Sequence, residues 1–483
     1  LLLGSIEIMS QDQTWITDIT NEIGLDSAFG SRIWLGDFNN DNFTDLLWGT
    51  PKATHNNFNL MINNHSNDIF SRKLENLSDK TGTNYNRRRD NKTGVRTTDI
   101  ASMADFDNNG TLDIISSIYY HRFTGYKDAN DPGDRTEILL NDGNLNFSLA
   151  ESGLNQMQLD AILPQGLINS TGIAFVDYNL DGLTDAYIST WFTDYYATNA
   201  DVKQKDILVK NVTVGNDVKF ERVYIPAIEA VVEPMYGVNA TDWNNDGYQD
   251  IVTSPYCRTG GSLFAGGPNG TFRDATAEAN YSAQHAKRDG PGLLCQWEAN
   301  PADFDNDGDM DLLQVIVHGG YYEGMGRTVI AVNQGKDKGY KYEWNLDRIR
   351  RDAPLTSHLG DMGACWWDID NDGKLDMAIG QMSYPTANLQ GQERLYILRQ
   401  NDSGYFDDIS KKLGIFYTMK EAHSMEPFDY DLDGDHDLIF SRQVRDTIEV
   451  DTVINGQQQK VKVEKVYMKI HLLRNNIDRK SVV

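Results

Sequence analysis

"DFDNDGDMDLL", residues 303–313, sets five aspartates within nine positions and then runs into apolar residues. Two carboxylates about 4 Å apart repel by roughly 4 kcal/mol at an effective dielectric near 20, so the loop needs a counter-charge. Asp303, Asp305 and Asp307 take positions 1, 3 and 5, Asp309 follows at position 7, and Asp311 closes at position 9. Oxygen ligands at alternate positions, with a backbone carbonyl near position 7, suit calcium, which takes roughly six to eight hard oxygens. Gly308 at position 6 allows the positive φ that bends the chain round an ion.

The arrangement recurs. "DFNNDNFTD" starts at Asp37, "DFDNNGTLD" at Asp105, "DYNLDGLTD" at Asp177, "DWNNDGYQD" at Asp242, "DIDNDGKLD" at Asp368 and "DYDLDGDHD" at Asp429, making seven loops spaced by 68, 72, 65, 61, 65 and 61 residues. The candidate ligands are Asp37, Asn39, Asp41, Phe43 and Asp45 in loop 1, and Asp105, Asp107, Asn109, Thr111 and Asp113 in loop 2. Loop 3 offers Asp177, Asn179, Asp181, Leu183 and Asp185, and loop 4 offers Asp242, Asn244, Asp246, Tyr248 and Asp250. Loop 6 offers Asp368, Asp370, Asp372, Lys374 and Asp376, and loop 7 offers Asp429, Asp431, Asp433, Asp435 and Asp437; the position-7 residue of each contributes its carbonyl. Asn42 replaces the glycine in loop 1 and Asn109 the position-5 aspartate in loop 2, so these two are expected to be the weakest sites.

An EF-hand requires a glutamate at position 12, and no copy has one: the residues there are Trp48, Ser116, Ile188, Thr253, Gln314, Ile379 and Phe440. Position 2 is always Phe, Tyr, Trp or Ile, and position 9 leads into apolar pairs such as Leu46-Leu47 and Leu312-Leu313, so each loop enters a buried strand. Later in each period, stretches such as "ILLNDGNLNF" from Ile138 and "LFAGGPNGTF" from Leu263 read as strand, polar turn, strand. Each period thus holds about four short antiparallel strands, and such sheets bury their faces only by radial stacking, as in a seven-bladed β-propeller. "WITDITNEIGL" from Trp15 resembles "YFDDISKKLGI" from Tyr405 but precedes the first loop, while "IHLLRNN" from Ile470 lacks such a segment after it. The N-terminus is therefore expected to supply the last strand of blade 7, closing the all-β ring with its own two ends.

These repeats resemble the FG-GAP/VCBS class of calcium-loop propellers, such as those of integrin α headpieces, over about Trp15 to Asn476. The resemblance implies one calcium-binding loop per blade, up to seven Ca2+, and a fold that hosts many unrelated functions. On this reading residues 1–14 are an extension able to act as an inter-subunit strand, 15–476 form one propeller, and 477–483 are a tail. "TIEVDTVINGQQQKVKVEKVYM" alternates apolar and polar residues round Asn455-Gly456, predicting a hairpin over about 444–468 that projects from blade 7.

A formal charge of −27 disfavours nucleic acid, whose phosphates need a positive surface. Seven calcium ions would leave about −13, and dependence on calcium points outside the cell. There is no apolar run of roughly 18 residues to span a membrane, and "LLLGSIEIM" reads as a mature or trimmed N-terminus. Of twelve N-x-S/T sequons, Asn42 lies inside loop 1, and Asn109 is set aside because a ligand amide cannot easily carry a glycan. The glycosylation candidates are Asn64, Asn76, Asn91, Asn146, Asn169, Asn211, Asn239, Asn269, Asn280 and Asn401; the alternative is a bacterial surface protein in which sequons carry no meaning. Cys257 and Cys295 fall at one rim of adjacent blades and could pair, Cys365 reads as a buried thiol, and three reduced core cysteines are the alternative.

No local catalytic motif is present. His358 and His423 precede calcium loops and could face one end of the central channel near Glu298, Glu426 and Arg96, where a sugar or acid-base chemistry would find polar groups. The polar stretch 71–94 carries the basic run Arg87-Arg88-Arg89, which could dock on an acidic partner or be a solvated loop. The expectation is therefore an extracellular, non-enzymatic binding or adhesion module for a glycan or a matrix protein. A homopolymer-forming coat or filament subunit is the second possibility, and a polysaccharide lyase a distant third.

Overall fold

The computed structural model describes residues 15–30, 32–49, 58–64, 66, 73–76, 100–117, 137–150, 170–191, 205–215, 217–255, 260–282, 295–317, 328–352, 359–383, 393–415, 419, 422–454 and 457–476. Seven sheets follow one another along the chain, antiparallel except at one outer edge. Blade 1 comprises Arg32–Gly36, Asp45–Gly49, Phe58–Asn63 and Leu74–Asn76; blade 2, Ile100–Ala104, Asp113–Ser117, Glu137–Asn141 and Phe147–Leu149; blade 3, Ser170–Val176, Asp185–Thr190, Ile207–Asn211 and Phe220–Val223. Blade 4 comprises Met235–Thr241, Asp250–Pro255, Leu263–Gly267 and Thr271–Asp274; blade 5, Cys295–Ala302, Asp311–Val317, Val329–Asn333 and Tyr342–Asn345. Blade 6 contains Leu359–Trp367, Asp376–Ser383, Leu395–Gln400 and Phe406–Asp408, and blade 7 contains Ala422–Phe428, Asp437–Ile454 and Gln457–Asn475. Helix is nearly absent from the described residues, a single turn at Pro226–Glu229 being the α-helical piece.

The ring closes on its own ends. Ile16–Asp18 pairs antiparallel with Gln457–Asn475, Ile16 opposite Asn475 and Asp18 opposite Leu473, and so becomes the fourth strand of blade 7. Asp18 Oδ2 faces His471 Nδ1 at 3.2 Å and the Leu472 N–H donates to Thr20 Oγ1 at 3.1 Å across the seam. Blade 6 departs from four strands: Ile349–Arg350 adds a fifth, parallel to Phe406–Asp408, because the chain arriving from blade 5 runs along that outer edge and donates no hairpin turn to it.

A single sheet cannot cover its own apolar faces, and the core lies accordingly between blades. Seven apolar clusters fill the seven interfaces, from Phe38, Leu47, Ile114 and Leu139 between blades 1 and 2 to Ile33, Trp48, Tyr430 and Leu472 between blades 7 and 1. Central strands such as Asp311–Val317 are buried at every residue, which explains the unbroken apolar pairs after each loop. The position-2 residues Phe38, Phe106, Trp243, Phe304, Ile369 and Tyr430 are at most 2% exposed and wedge into these interfaces.

Blade 7 is longer than its neighbours. Its second and third strands run 18 and 19 residues and stay in register from Leu438 opposite Leu473 to Ile454 opposite Gln457, forming an arm beyond the blade. The Asn455-Gly456 turn expected from the sequence lies outside the described residues, although the register leaves two residues to connect the strands.

Candidate metal centres

Each loop is wired alike, beginning with its first aspartate. One oxygen of the position-1 carboxylate accepts the N–H of position 5 and the other that of position 6, as Asp303 does from Asp307 at 2.9 Å and Gly308 at 3.0 Å; all seven loops share this pair. The position-5 side chain accepts the N–H of position 7 in every loop, Asn109 serving as well as the aspartates. Two left-handed residues make the bend possible. Position 6 has φ between 70° and 92° in all seven loops, Asn42 included, and position 4 has φ between 52° and 59°. The second bend was not read from the sequence, although Asn at position 4 in five loops was a usable signal, since Asn enters this region more readily than most residues.

The position-9 aspartate anchors the loop to the blade. Asp45, Asp113, Asp185, Asp250, Asp311, Asp376 and Asp437 are at most 1% exposed. One oxygen of each accepts the N–H of position 2, and the other accepts an N–H from the third strand of the same blade. Burial, partly offset by these donors, pushes Asp45, Asp113, Asp185 and Asp250 up to about 7, and Asp311, Asp376 and Asp437 up to about 8.

Sequence reading also missed the third-strand residue that faces this aspartate. Asn63, Asn141, Asn211, Asn333, Gln400 and Asn475 each give their backbone N–H to it and their side-chain amide to the position-2 carbonyl of the preceding blade, at 2.7–3.3 Å. Blade 4 has Gly266 there, where a Cβ would come within 2.3 Å of the Gln249 carbonyl oxygen. Gln249 compensates by accepting the N–H of Asp177 in blade 3 at 3.3 Å.

The carboxylates converge. Ligand atoms of Asp105, Asp107 and Asp113 lie within 4.8 Å of one another, as do those of Asp303, Asp305 and Asp311, of Asp368, Asp370 and Asp376, and of Asp429, Asp431 and Asp433. In loops 1, 3 and 4 position 3 is Asn39, Asn179 or Asn244, an amide oxygen donor in place of a carboxylate. A test of fit is Asp370, which is 6% exposed and whose Oδ1 has no hydrogen-bond partner. Burial, then the neighbouring carboxylates, raises Asp305 as well. Clustered hard oxygens with an orphaned carboxylate oxygen fit a hard divalent cation.

The other candidates are dispersed. Asn211 is corrected as a glycan acceptor: it is fully buried and its amide nitrogen, the atom a glycan would occupy, donates to the Phe106 carbonyl. Asn239 gives its amide to the Ala299 carbonyl of the next blade, Asn280 to Tyr342, Asn146 to Asp142 and Asn401 to Asp407. Asn64 accepts the Lys73 N–H, Asn76 ends a strand, and Asn269 is exposed in a turn at φ 61°. Asn91, Asn169, Cys257, His358, Arg96 and Arg87-Arg88-Arg89 lie outside the described residues. Cys295 is disulfide-bonded and Cys365 is a buried free thiol. On the inner strands, Glu298 accepts the Ala364 N–H at 3.0 Å, and desolvation by the protein around them raises it and the solvent-accessible Glu426 to about 7, Glu426 being raised further by Glu298. Burial depresses His423 to about 4, leaving it a neutral wall residue.

The FG-GAP-like repeat family matches residues 242–314 and 368–440, each match running from one calcium-type loop into the strand after the next. No curated protein matches the chain. Among solved structures, one chain of the crystal structure of BBS1N in complex with ARL6DN, soaked with lead, is similar over 86% of this chain and 88% of that one, at a TM-score of 0.40 and 6% identity. The chain is a seven-bladed β-propeller in which FG-GAP-like repeats are matched at 242–314 and 368–440.

Proposed function

We propose that the protein is an extracellular, calcium-stapled binding module without catalytic activity, whose ligand is a glycan or a matrix protein. The observation that carries this reading is a contrast between the two faces of the ring. The connection from first to second strand is eight residues in every blade, 37–44 in the first and 429–436 in the last. Connections at the opposite ends of the same strands vary freely: 50–57, 118–136, 191–206 and 256–262 join the second and third strands of blades 1 to 4, and the arm takes that place in blade 7. One invariant, metal-type face and one variable face describe a rigid scaffold presenting diverse loops, the usual placement of binding surfaces. Calcium at these loops and the disulfide at Cys295 both suit an oxidising, calcium-rich exterior. Among the described residues, no helix is long and apolar enough to cross a membrane.

The test is binding of the purified protein to immobilised glycans and matrix proteins, in calcium and in EGTA. Saturable, calcium-dependent binding that is lost when the connections 118–136 and 191–206 are replaced by short Gly-Ser linkers supports the reading. Binding that survives loop replacement refutes the assignment to that face. The arm favours a second reading, a self-assembling structural subunit, because a free two-stranded ribbon is marginal without a covering partner. Negative-stain images of fibres or sheets that vanish on deletion of residues 444–468 would establish it.

A further inference from the structure

The seven loops share their wiring but not their counter-charges. The residue one position before the clasping amide on the third strand sits beside the loop of its own blade. It is apolar in four blades, as Ile62, Leu140, Ala265 and Val332. In blade 6 it is Arg399, whose Nη2 lies 2.5 Å from Asp370 Oδ2 and 3.4 Å from Asp372 Oδ2. In blade 3 it is Lys210, whose Nζ lies 2.8 Å from Asp181 Oδ2. Loop 6 carries a second cation, Lys374, 3.8 Å from Asp372 Oδ2 while it holds Asp402 at 2.6 Å. Arg474, at the same place in blade 7, turns its Nε to Asn476 Oδ1 at 3.1 Å. In blade 5 the nearby Arg348 lies over the Phe304 ring and donates to the Gly404 carbonyl.

We propose that loops 3 and 6 carry a resident protein cation and bind calcium more weakly than loops 4 and 5, which keep the position-5 aspartate and the position-6 glycine and whose third strand is apolar at this position. This rests on the calcium reading above. A guanidinium on Asp370 and Asp372 already neutralises two position-3 and position-5 ligands, so an incoming ion meets both a reduced negative charge and a like charge a few ångströms away. It does not close the site, because Asp370 Oδ1 stays buried without a hydrogen-bond partner and available to an ion. The ring accordingly has two classes of calcium site. When calcium falls, loops 3 and 6 empty before loops 4 and 5 but stay folded on Lys210 and Arg399, so two of the seven staples are independent of the metal.

Hydrogen–deuterium exchange of the whole protein across a series of buffered free-calcium concentrations reads each loop separately. The expected result is that peptides over 177–185 and 368–376 reach their calcium-bound protection at a concentration at least tenfold higher than peptides over 242–250 and 303–311. In EGTA the first pair also keeps more protection than the second. Arg399→Met and Lys210→Met should move only their own loops to the tighter class, and Arg474→Met should leave loop 7 where it was. A single midpoint for all loops in the unaltered protein, or an unmoved loop 6 midpoint in Arg399→Met, overturns the inference and leaves the calcium reading standing. Loops that do not respond to calcium at all overturn both.

Discussion

A carboxyl held at about 8, as in Asp311, binds a proton in the folded ring over a range where the unfolded chain, with its ordinary value near 3.9, has lost it. For such a group stability is fully present below about pH 4 and declines as pH rises through the folded value. Six further position-9 aspartates are shifted the same way. The metal-free protein is therefore expected to unfold at a higher urea concentration at pH 5.5 than at pH 8, and added calcium to raise the midpoint more at pH 8, where it displaces fewer protons. Midpoints in EDTA that climb with pH would contradict this. A second residue-scale expectation concerns Leu180, 61% exposed at φ 57° in the loop position that Asn fills in five other blades. A leucine in the left-handed region costs roughly 1–2 kcal/mol. Leu180→Asn removes no core contact, so it should stabilise the protein by about 1 kcal/mol in urea unfolding, and a loss of stability would show that the side chain packs on something.

Across elements, the wiring explains what the sequence could disclose. Asp at positions 1, 5 and 9 and glycine at position 6 act within nine residues, so their pattern is local and was legible, as were the strands that follow and the seven-fold period. The clasp was not legible, because Asn141 meets Phe38 of the preceding blade across 103 residues of chain. Cross-loop bonds from Asn40, Asn245, Asn306 and Asn371 to the position-6 carbonyls of the next blades are hidden for the same reason. Asn211 matched a glycosylation motif that depends on three adjacent residues, whereas its burial depends on blade 2. The fifth strand of blade 6 escaped notice because Ile349–Arg350 is too short to carry a period. The clasp can be weighed directly. Asn333→Ala leaves the buried Trp243 carbonyl without its donor, which costs about 1–3 kcal/mol. The loss should appear in urea unfolding of the calcium-loaded protein, and Asn333→Gln, with the longer amide that Gln400 already uses in blade 6, should restore part of it. Equal stability of the alanine variant would mean that water satisfies the carbonyl and that the clasp positions the blades without holding them.

For the molecule as a whole the decisive join is between its two ends, because an open ring would leave one face of blade 7 and one of blade 1 without a partner. The short segment after Trp15 does more than complete a sheet: Ile19, Ile23, Leu25 and Ala28 are buried in the same cluster as Ile33 of blade 1 and Ile439 and Leu472 of blade 7. Ile16 is buried on the other side, against Leu473 and the core shared by blades 6 and 7. Four fully buried Ile or Leu side chains represent roughly 1.5–3 kcal/mol each. Their sum is comparable to the net stability of roughly 5–15 kcal/mol typical of a folded protein. Deleting residues 1–14 spares every one of these contacts and should leave the melting temperature within a degree or two. Deleting residues 1–26 removes Ile16 through Leu25 together with the backbone pairing to Leu473–Asn475, and should abolish the cooperative transition and expose the 437–475 strands to hydrogen exchange even in saturating calcium. The two deletions separate closure from metal binding: if the longer one still melted cooperatively with its calcium loops protected, the blades would be held by their loops alone and the terminal strand would be dispensable.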